Sequence, residues 1–325
     1  MSSLKFTSVY INDFFTVVGQ KESAGKLKKF DFVIDDYYFG EKTFELAEIK
    51  MQKTIIDNLL ARNNLLESEI DCLVGGELSN QLTATNYNAK NYSFPILGVY
   101  SACASYVESL IILSNLVNSG QMKKGFTITS SHNLTAEKQF RFPVEYGAPK
   151  NSCSSHTATG ACGNYLSNTK SKIKIESATI GSVIEYGIKD AGNMGAIMAP
   201  AAAETLTRHL HDLNRDANYY DLILTGDLGE IGSKIFKEFL KATKNLSLTN
   251  HLDSACEIYT EEQKVNAGAS GPVALPIVMW NKIIRMAKYK KILLIATGSL
   301  HSPIMVNQKL AVPAIAHAIS LEVTK

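Results

Sequence analysis

The sequence predicts a layered α/β fold built from two similar halves. Strand-like and helix-like hydrophobic patterns alternate along the chain, which is the pattern of α/β layering. The stretch Asp71-Cys-Leu-Val-Gly-Gly-Glu-Leu78 returns 150 residues later as Asp221-Leu-Ile-Leu-Thr-Gly-Asp-Leu228. A second echo follows in the same order. A long helical pattern leading to Lys124-Gly-Phe-Thr-Ile-Thr-Ser-Ser-His132 is matched by another leading to Lys291-Ile-Leu-Leu-Ile-Ala-Thr-Gly-Ser-Leu-His301. One Asp-apolar-Gly strand is common in any α/β protein. Two echoes in the same order argue for a duplicated βαβα unit, with halves at residues 1–168 and 169–325.

Taken in order, residues 44–65 form a helix, because Leu46, Ile49, Ile55, Ile56, Leu59 and Leu60 recur on a helical period. Cys72-Leu-Val-Gly75 is a buried strand. Residues 101–119 are a helix opened by a serine, and residues 125–130 a strand. Residues 142–159, rich in Pro, Ser, Asn and Gly, are a long loop. Residues 173–186 make one or two strands, 201–213 a helix and 221–225 a strand. The chain closes with a helix over 270–287 and strands over 291–297 and 314–323.

Composition narrows the function. Of 325 residues, 45% are hydrophobic and 20% charged, the balance of a folded globule. The 33 basic and 31 acidic side chains leave a net charge of +2, too even for a general nucleic-acid or polybasic membrane surface. Five cysteines (Cys72, Cys103, Cys153, Cys162, Cys256), none in C-x-x-C spacing, argue against a disulfide framework or zinc site and for a reducing compartment. No apolar run is long enough to span a bilayer; Pro200 and Glu204 interrupt the best one. The opening residues carry no secretory pattern. A cytoplasmic protein is expected.

Cys103 is the first residue with chemical promise. A short apolar strand leads through Tyr100-Ser-Ala into Cys103 and then a helix. A helix start offers unpaired amides and a positive dipole end to a thiolate or a bound anion, and this layout resembles a nucleophile elbow. A buried, inert cysteine fits the same pattern. A nucleophile needs a base, and His132 and His301 both follow strands. Glu77 and Asp227 close equivalent strands. Either is placed to hold a cation, orient a ligand, act as a base, or cap the next helix. The glycines form neither a dinucleotide fingerprint nor a phosphate loop.

Together, Gly76-Glu-Leu-Ser-Asn-Gln81, Ser101-Ala-Cys-Ala-Ser105, the block from Thr129 through Ser-Ser-His-Asn to Glu-Tyr-Gly147, Met194-Gly-Ala-Ile-Met-Ala-Pro-Ala-Ala-Ala203 and Asp221–Leu228 resemble the stage V sporulation protein AD family, from about residue 65 onward. The resemblance implies the thiolase-like fold, two βαβα halves related by a pseudo-twofold in an α-β-α-β-α core. It implies binding of dipicolinic acid (pyridine-2,6-dicarboxylate), free or as its calcium chelate, for uptake into the developing spore. It further implies membrane-embedded SpoVA partners, peripheral association with the forespore inner membrane, a homodimer, and no cofactor beyond calcium carried by the ligand.

By position, Cys103 matches the cysteine that serves thiolase-like enzymes as nucleophile, and Glu77 an acidic pocket position that is usually Asp. The catalytic histidine expected after the strand at 221–225 is replaced by Gly226-Asp227. This weighs against an acyltransferase that uses Cys103, which remains the alternative. The expected ligand set is Glu77, Asn80, Cys103, His132, Arg141 and Asp227. The helix start near Cys103 takes one carboxylate of the ligand, His132 and Arg141 take the other, and Glu77 acts through a calcium ion or as a protonated donor.

Overall fold

The protein is described by a computed structural model, in which residues 2–140 and 150–324 are placed. The strands, in chain order, are β1 (Ser3–Lys5), β2 (Tyr10–Val18), β3 (Phe32–Val33), β4 (Cys72–Glu77), β5 (Ile96–Gly98), β6 (Lys124–Ser131), β7 (His156–Thr157), β8 (Gly160–Ser167), β9 (Ile173–Thr179), β10 (Leu222–Thr225), β11 (His251–Asp253), β12 (Ala269–Ser270), β13 (Lys291–Ser299) and β14 (Ala314–Val323). The helices are α1 (Gln20–Ser23), α2 (Phe44–Arg62), α3 (Thr83–Ala89), α4 (Ser105–Asn118), α5 (Asn133–Phe140), α6 (Met194–Leu213), α7 (Gly229–Lys244), α8 (Ala274–Val278) and α9 (Pro303–Asn307).

The sheet runs β11-β10-β13-β14-β9-β2-β8-β6-β4-β5. Read outward from the central β9/β2 junction, each half has the same order and the same sense. In both, the three outer strands are parallel and the two inner ones antiparallel. The junction itself is short, with Tyr10 and Ile11 paired to Lys174 and Ile173.

Alternation along the strands sorts the core into layers. Val74 of β4, Leu224 of β10 and Leu294 of β13 point into a central cluster with Leu110 of α4 and Trp280. Leu73, Phe126 and Ile128 face the other way, onto Met51, Ile55 and Leu59 of α2. Ile223, Leu293 and Ile295 face Ala202 and Leu206 of α6. The order is therefore α2, first-half sheet, α4 with α8, second-half sheet, α6, the five layers expected. Strands buried on both faces read as continuous apolar runs, which is why they stand out in the sequence.

Several expectations need correction. Helix α6 begins at Met194, seven residues before the predicted start, because Asn193 caps it by accepting from the Ala196 N–H at 3.3 Å and Pro200 is carried inside the helix. The helix expected over 270–287 is broken: β12 takes its start, α8 follows, and Met279–Ile284 is wound as a π-helix. Only Ile173–Thr179 of the 173–186 segment is a strand. In the predicted loop over 142–159, residues 142–149 lie outside the described residues, and His156–Thr157 pairs with β12. Strand β2 and helix α7 carried no prediction. In β2 the polar pair Asn12-Asp13 masks the pattern: it sits at a register shift, where Asp13 accepts from Arg62 at 3.0 Å and Asn63 at 2.8 Å.

Candidate functional site

Strand β5 leads through a turn into a 3-10 segment, Ala102–Ala104, that opens α4. Ser105 Oγ fastens this turn by accepting from the Ser101 N–H at 2.9 Å and donating to the Ala102 carbonyl at 2.8 Å. Ala102 adopts φ 51°, a left-handed conformation that costs a non-glycine residue about 1–3 kcal/mol. The second half holds the turn in that shape from outside. Gly298, near the end of β13, packs so closely that a Cβ there would lie 2.1 Å from the Ser101 carbonyl oxygen. The strand, strained small turn, Cys103 and helix thus match the predicted elbow, clamped between the two halves.

Cys103 lines a cavity of about 280 Å³, close to the lower end of small-ligand pockets (roughly 300 Å³). Its apolar wall is Leu78, Ala102, Ala136, Phe140 and Met194. Its polar wall is Asn151, Ser154, Ser155, Thr157, Ser270 and Ser299. The hydroxyls of Ser155 and Ser299 are buried with no hydrogen-bond partner among the described residues. Glu137, His301, Ala191 and Gly192 complete the lining. Glu137 is ion-paired with Lys150, and the His301 ring lies 5.2 Å from that of Phe140.

Of the five described residues among the six expected to meet a ligand, Cys103 alone lines this cavity. Asp227 lies behind it, at the end of β10, 2% exposed and against the thiol. Glu77 is fully buried and does not reach the cavity. Its carboxylate accepts from the Ala84 N–H at 2.7 Å, the Thr85 N–H at 3.3 Å and the Thr85 hydroxyl. It therefore caps α3, the helix-cap alternative, at Ala84 and Thr85 rather than near Ser79 and Asn80. Asn80 is exposed, with its N–H bonded to Gln139 Oε1 at 2.8 Å, away from the cavity. His132 is buried between Phe44 and Tyr37. Its Nε2 bonds the Tyr37 carbonyl at 2.8 Å and its Nδ1 accepts from the Leu134 N–H at 3.2 Å, so both ring nitrogens serve the fold. Arg141 lies outside the described residues. The histidine that does reach the cavity is His301, one of the two predicted candidate bases.

Most of the polar wall was not foreseen. Ser155, Thr157 and Ser270 are brought in by the β7/β12 ribbon, a pairing of two-residue strands far apart in sequence that leaves no periodic signal. Ser299 had a usable signal: it ends β13, the strand that echoes β6.

The electrostatics at Cys103 oppose nucleophilic chemistry. Burial, and then the Asp227 carboxyl beside it, push the thiol well above its ordinary value, although the Gly271 and Cys103 amides favour the anion. Asp227 is itself pushed well up by burial and by Asp253. His301 is held below the usual histidine range by burial. At neutral pH the cavity therefore carries a neutral thiol and a neutral imidazole beside paired Glu137. Among the described residues, no lysine or arginine lines it.

Elbow, mirrored halves and a cavity between them define a protein of the thiolase-like class. Solved structures agree. A variant of OleA from Xanthomonas campestris superposes with a TM-score of 0.61 at 13% identity, covering 97% of this chain and 100% of that one. The 3-oxoacyl-(acyl carrier protein) synthase III, FabH, of Xanthomonas oryzae gives 0.57 at 12%, with 97% and 100% covered. Within that class, the profile of stage V sporulation protein AD (SpoVAD) matches residues 2–322. Stage V sporulation protein AD of Bacillus subtilis (strain 168) is 41% identical over 318 residues, 97% of this chain and 94% of its own length. The chain belongs to the stage V sporulation protein AD family.

Proposed function

We propose that this sporulation protein binds dipicolinate, free or as its calcium chelate, in the cavity beside Cys103, and hands it to membrane-embedded partners for uptake into the developing spore. One observation carries the choice of binding over acyl transfer. The cysteine at the elbow is pressed against Asp227 instead of a base, and such a thiol is a poor nucleophile at neutral pH. The absence of a histidine at Gly226-Asp227 points the same way. The apolar wall suits a flat pyridine ring. The serine and threonine hydroxyls, with amides at the start of α4, suit the carboxylates. Hydroxyl and amide donors also favour a ligand whose charge calcium has offset, since an uncompensated dianion is costly to desolvate. No helix among the described residues is long and apolar enough to cross a membrane.

Equilibrium dialysis with dipicolinate, with added calcium and with chelator, tests this. Ala136→Trp fills the cavity from α5 and is expected to weaken binding by at least about tenfold, or 1.4 kcal/mol, while the variant stays folded. A folded Ala136→Trp protein that binds like the parent places the ligand elsewhere, and a parent that binds under neither condition removes the proposal.

A further inference from the structure

The duplication supplies an internal control at the cavity wall. The strand ladders align the halves: Ser131 ends β6 opposite Gly160, and Ser299 ends β13 opposite Ala314. The hydroxyls of Thr129 and Thr297, two positions before each serine, donate to the carbonyls of Gly76 and Gly226, in keeping with that alignment. The two serines are nevertheless treated differently. Ser131 is 1% exposed, and its Oγ donates at 2.7 Å to the carbonyl of Ala158, two residues before its ladder partner. Gly271 closes over it, since a Cβ there would lie 2.7 Å from that oxygen. Ser299 is 5% exposed, yet its Oγ has no hydrogen-bond partner among the described residues. The carbonyl of Val312, the counterpart of Ala158, does not accept from it, and Ser299 lines the cavity instead.

A buried hydroxyl without a partner costs stability, so a position that is satisfied in one half and left open in the other calls for a partner outside the chain. Its neighbours indicate which kind. Gly298, the residue before it, packs against the start of α4: a Cβ there would lie 2.1 Å from the Ser101 carbonyl oxygen and 3.2 Å from the Ala104 nitrogen. Ser299 therefore stands beside the positive end of the α4 dipole. A hydroxyl donor next to a helix start favours an anionic oxygen acceptor. The Ser155 hydroxyl, on the same cavity wall, is likewise buried and unpartnered among the described residues, whereas Ser154 Oγ is spent on Asn151 Oδ1 at 2.5 Å. We propose that Ser299 is a specificity-determining residue whose hydroxyl, left unpaired by the fold, donates to a ligand carboxylate seated at the start of α4. That this carboxylate belongs to dipicolinate rests on the binding proposal above; that Ser299 is matched to a carboxylate does not.

Two measurements on Ser299→Ala test this. In urea unfolding without ligand, Ser131→Ala loses a buried hydrogen bond and is expected to unfold at a lower midpoint than the parent. Ser299→Ala loses none and is expected to match or exceed the parent. A Ser299→Ala midpoint lowered as far as that of Ser131→Ala, or a variant that does not fold, means a hydroxyl already committed to the fold or to a structural water, and overturns the inference. In equilibrium dialysis with dipicolinate, picolinate and benzoate, with and without calcium, Ser299→Ala is expected to bind about tenfold more weakly than the parent. Unchanged dipicolinate affinity in the folded variant overturns the inference and leaves the binding proposal standing. A parent that binds picolinate or benzoate but not dipicolinate refutes the binding proposal, and a tenfold loss in Ser299→Ala then upholds the Ser299 assignment. A parent that binds none of the three acids overturns both.

Discussion

Glu48 and Glu77 are two buried carboxyl groups joined by a relay of side chains. Ser130 Oγ donates to Glu48 at 2.8 Å and accepts from Gln52 Nε2 at 2.9 Å, and the same nitrogen reaches Thr85 Oγ1 at 3.2 Å. Thr85 in turn donates to Glu77. Burial, then the charge of Glu77, raises Glu48 to about 8; burial raises Glu77 to about 7 despite its three donors. Both groups bind a proton more tightly folded than unfolded. Their contribution to stability is therefore complete below about pH 4.5 and is lost as pH rises through 7 and 8. Glu48→Gln retains the acceptor for Ser130 without the titration. In urea unfolding it should be more stable than the parent at pH 9, by on the order of 3 kcal/mol, with the gap closing toward pH 5. Parallel pH profiles would contradict this. At this scale the sequence was only partly legible. Cys103 could be found because strand, small turn and helix are all local. The partners that decide what Glu77, Asp227 and His132 do come from elements 7 to 124 residues away, such as Ala84 and Thr85 for Glu77, Tyr37 for His132 and Cys103 for Asp227.

The echoes that announce the duplication have a physical basis at the level of elements. Asp71 precedes β4 and its Oδ2 accepts from the amides of Lys123 and Lys124 at 2.7 and 3.0 Å. Asp221 precedes β10 and accepts from Lys290 and Lys291 at 2.7 and 2.9 Å. At the other end, the Thr129 and Thr297 hydroxyls donate to the carbonyls of Gly76 and Gly226. Each half therefore pins the neighbouring parallel strand at both ends, and those pinning residues are the ones that repeat. The two glycines are nevertheless under different constraints. A Cβ on Gly76 would lie 2.0 Å from the Val99 carbonyl oxygen, whereas on Gly226 the nearest atom is Leu275 Cβ at 3.2 Å. Gly76→Ala should destabilise by about 1–3 kcal/mol through overpacking against the turn that leads to Cys103, and Gly226→Ala by clearly less. Equal losses in thermal or urea unfolding would contradict that asymmetry. Less regular elements escaped because their cause is tertiary. The π-helical turn at 279–284 is buried around Trp280, which stacks on Phe14 at 4.2 Å and donates to Tyr106 Oη at 3.1 Å.

Over the whole molecule, α/β layering could be anticipated because strands buried on both faces and amphipathic helices each state their burial in local pattern, whereas the order of the five layers was implied only by the family resemblance. The junction at β2/β9 and the cavity between the halves could not, because both arise from pairing residues more than 100 positions apart. The cavity exists only where the halves meet. Cys103 and its turn come from the first, while Gly298, Ser299, Ser270 and the Asp227 behind the thiol come from the second. A thiolase-like frame whose elbow cysteine faces an acid is suited to holding a small anion or its calcium chelate without reacting with it. A crystal structure of the protein grown with calcium and dipicolinate tests this most directly. Density for one intact ligand is expected in the cavity, its ring against Leu78 and Phe140 and its carboxylates toward the α4 start, Ser270 and Ser299, with Cys103 unmodified. Ligand bound elsewhere with the cavity empty, or a covalent adduct on Cys103, would contradict it.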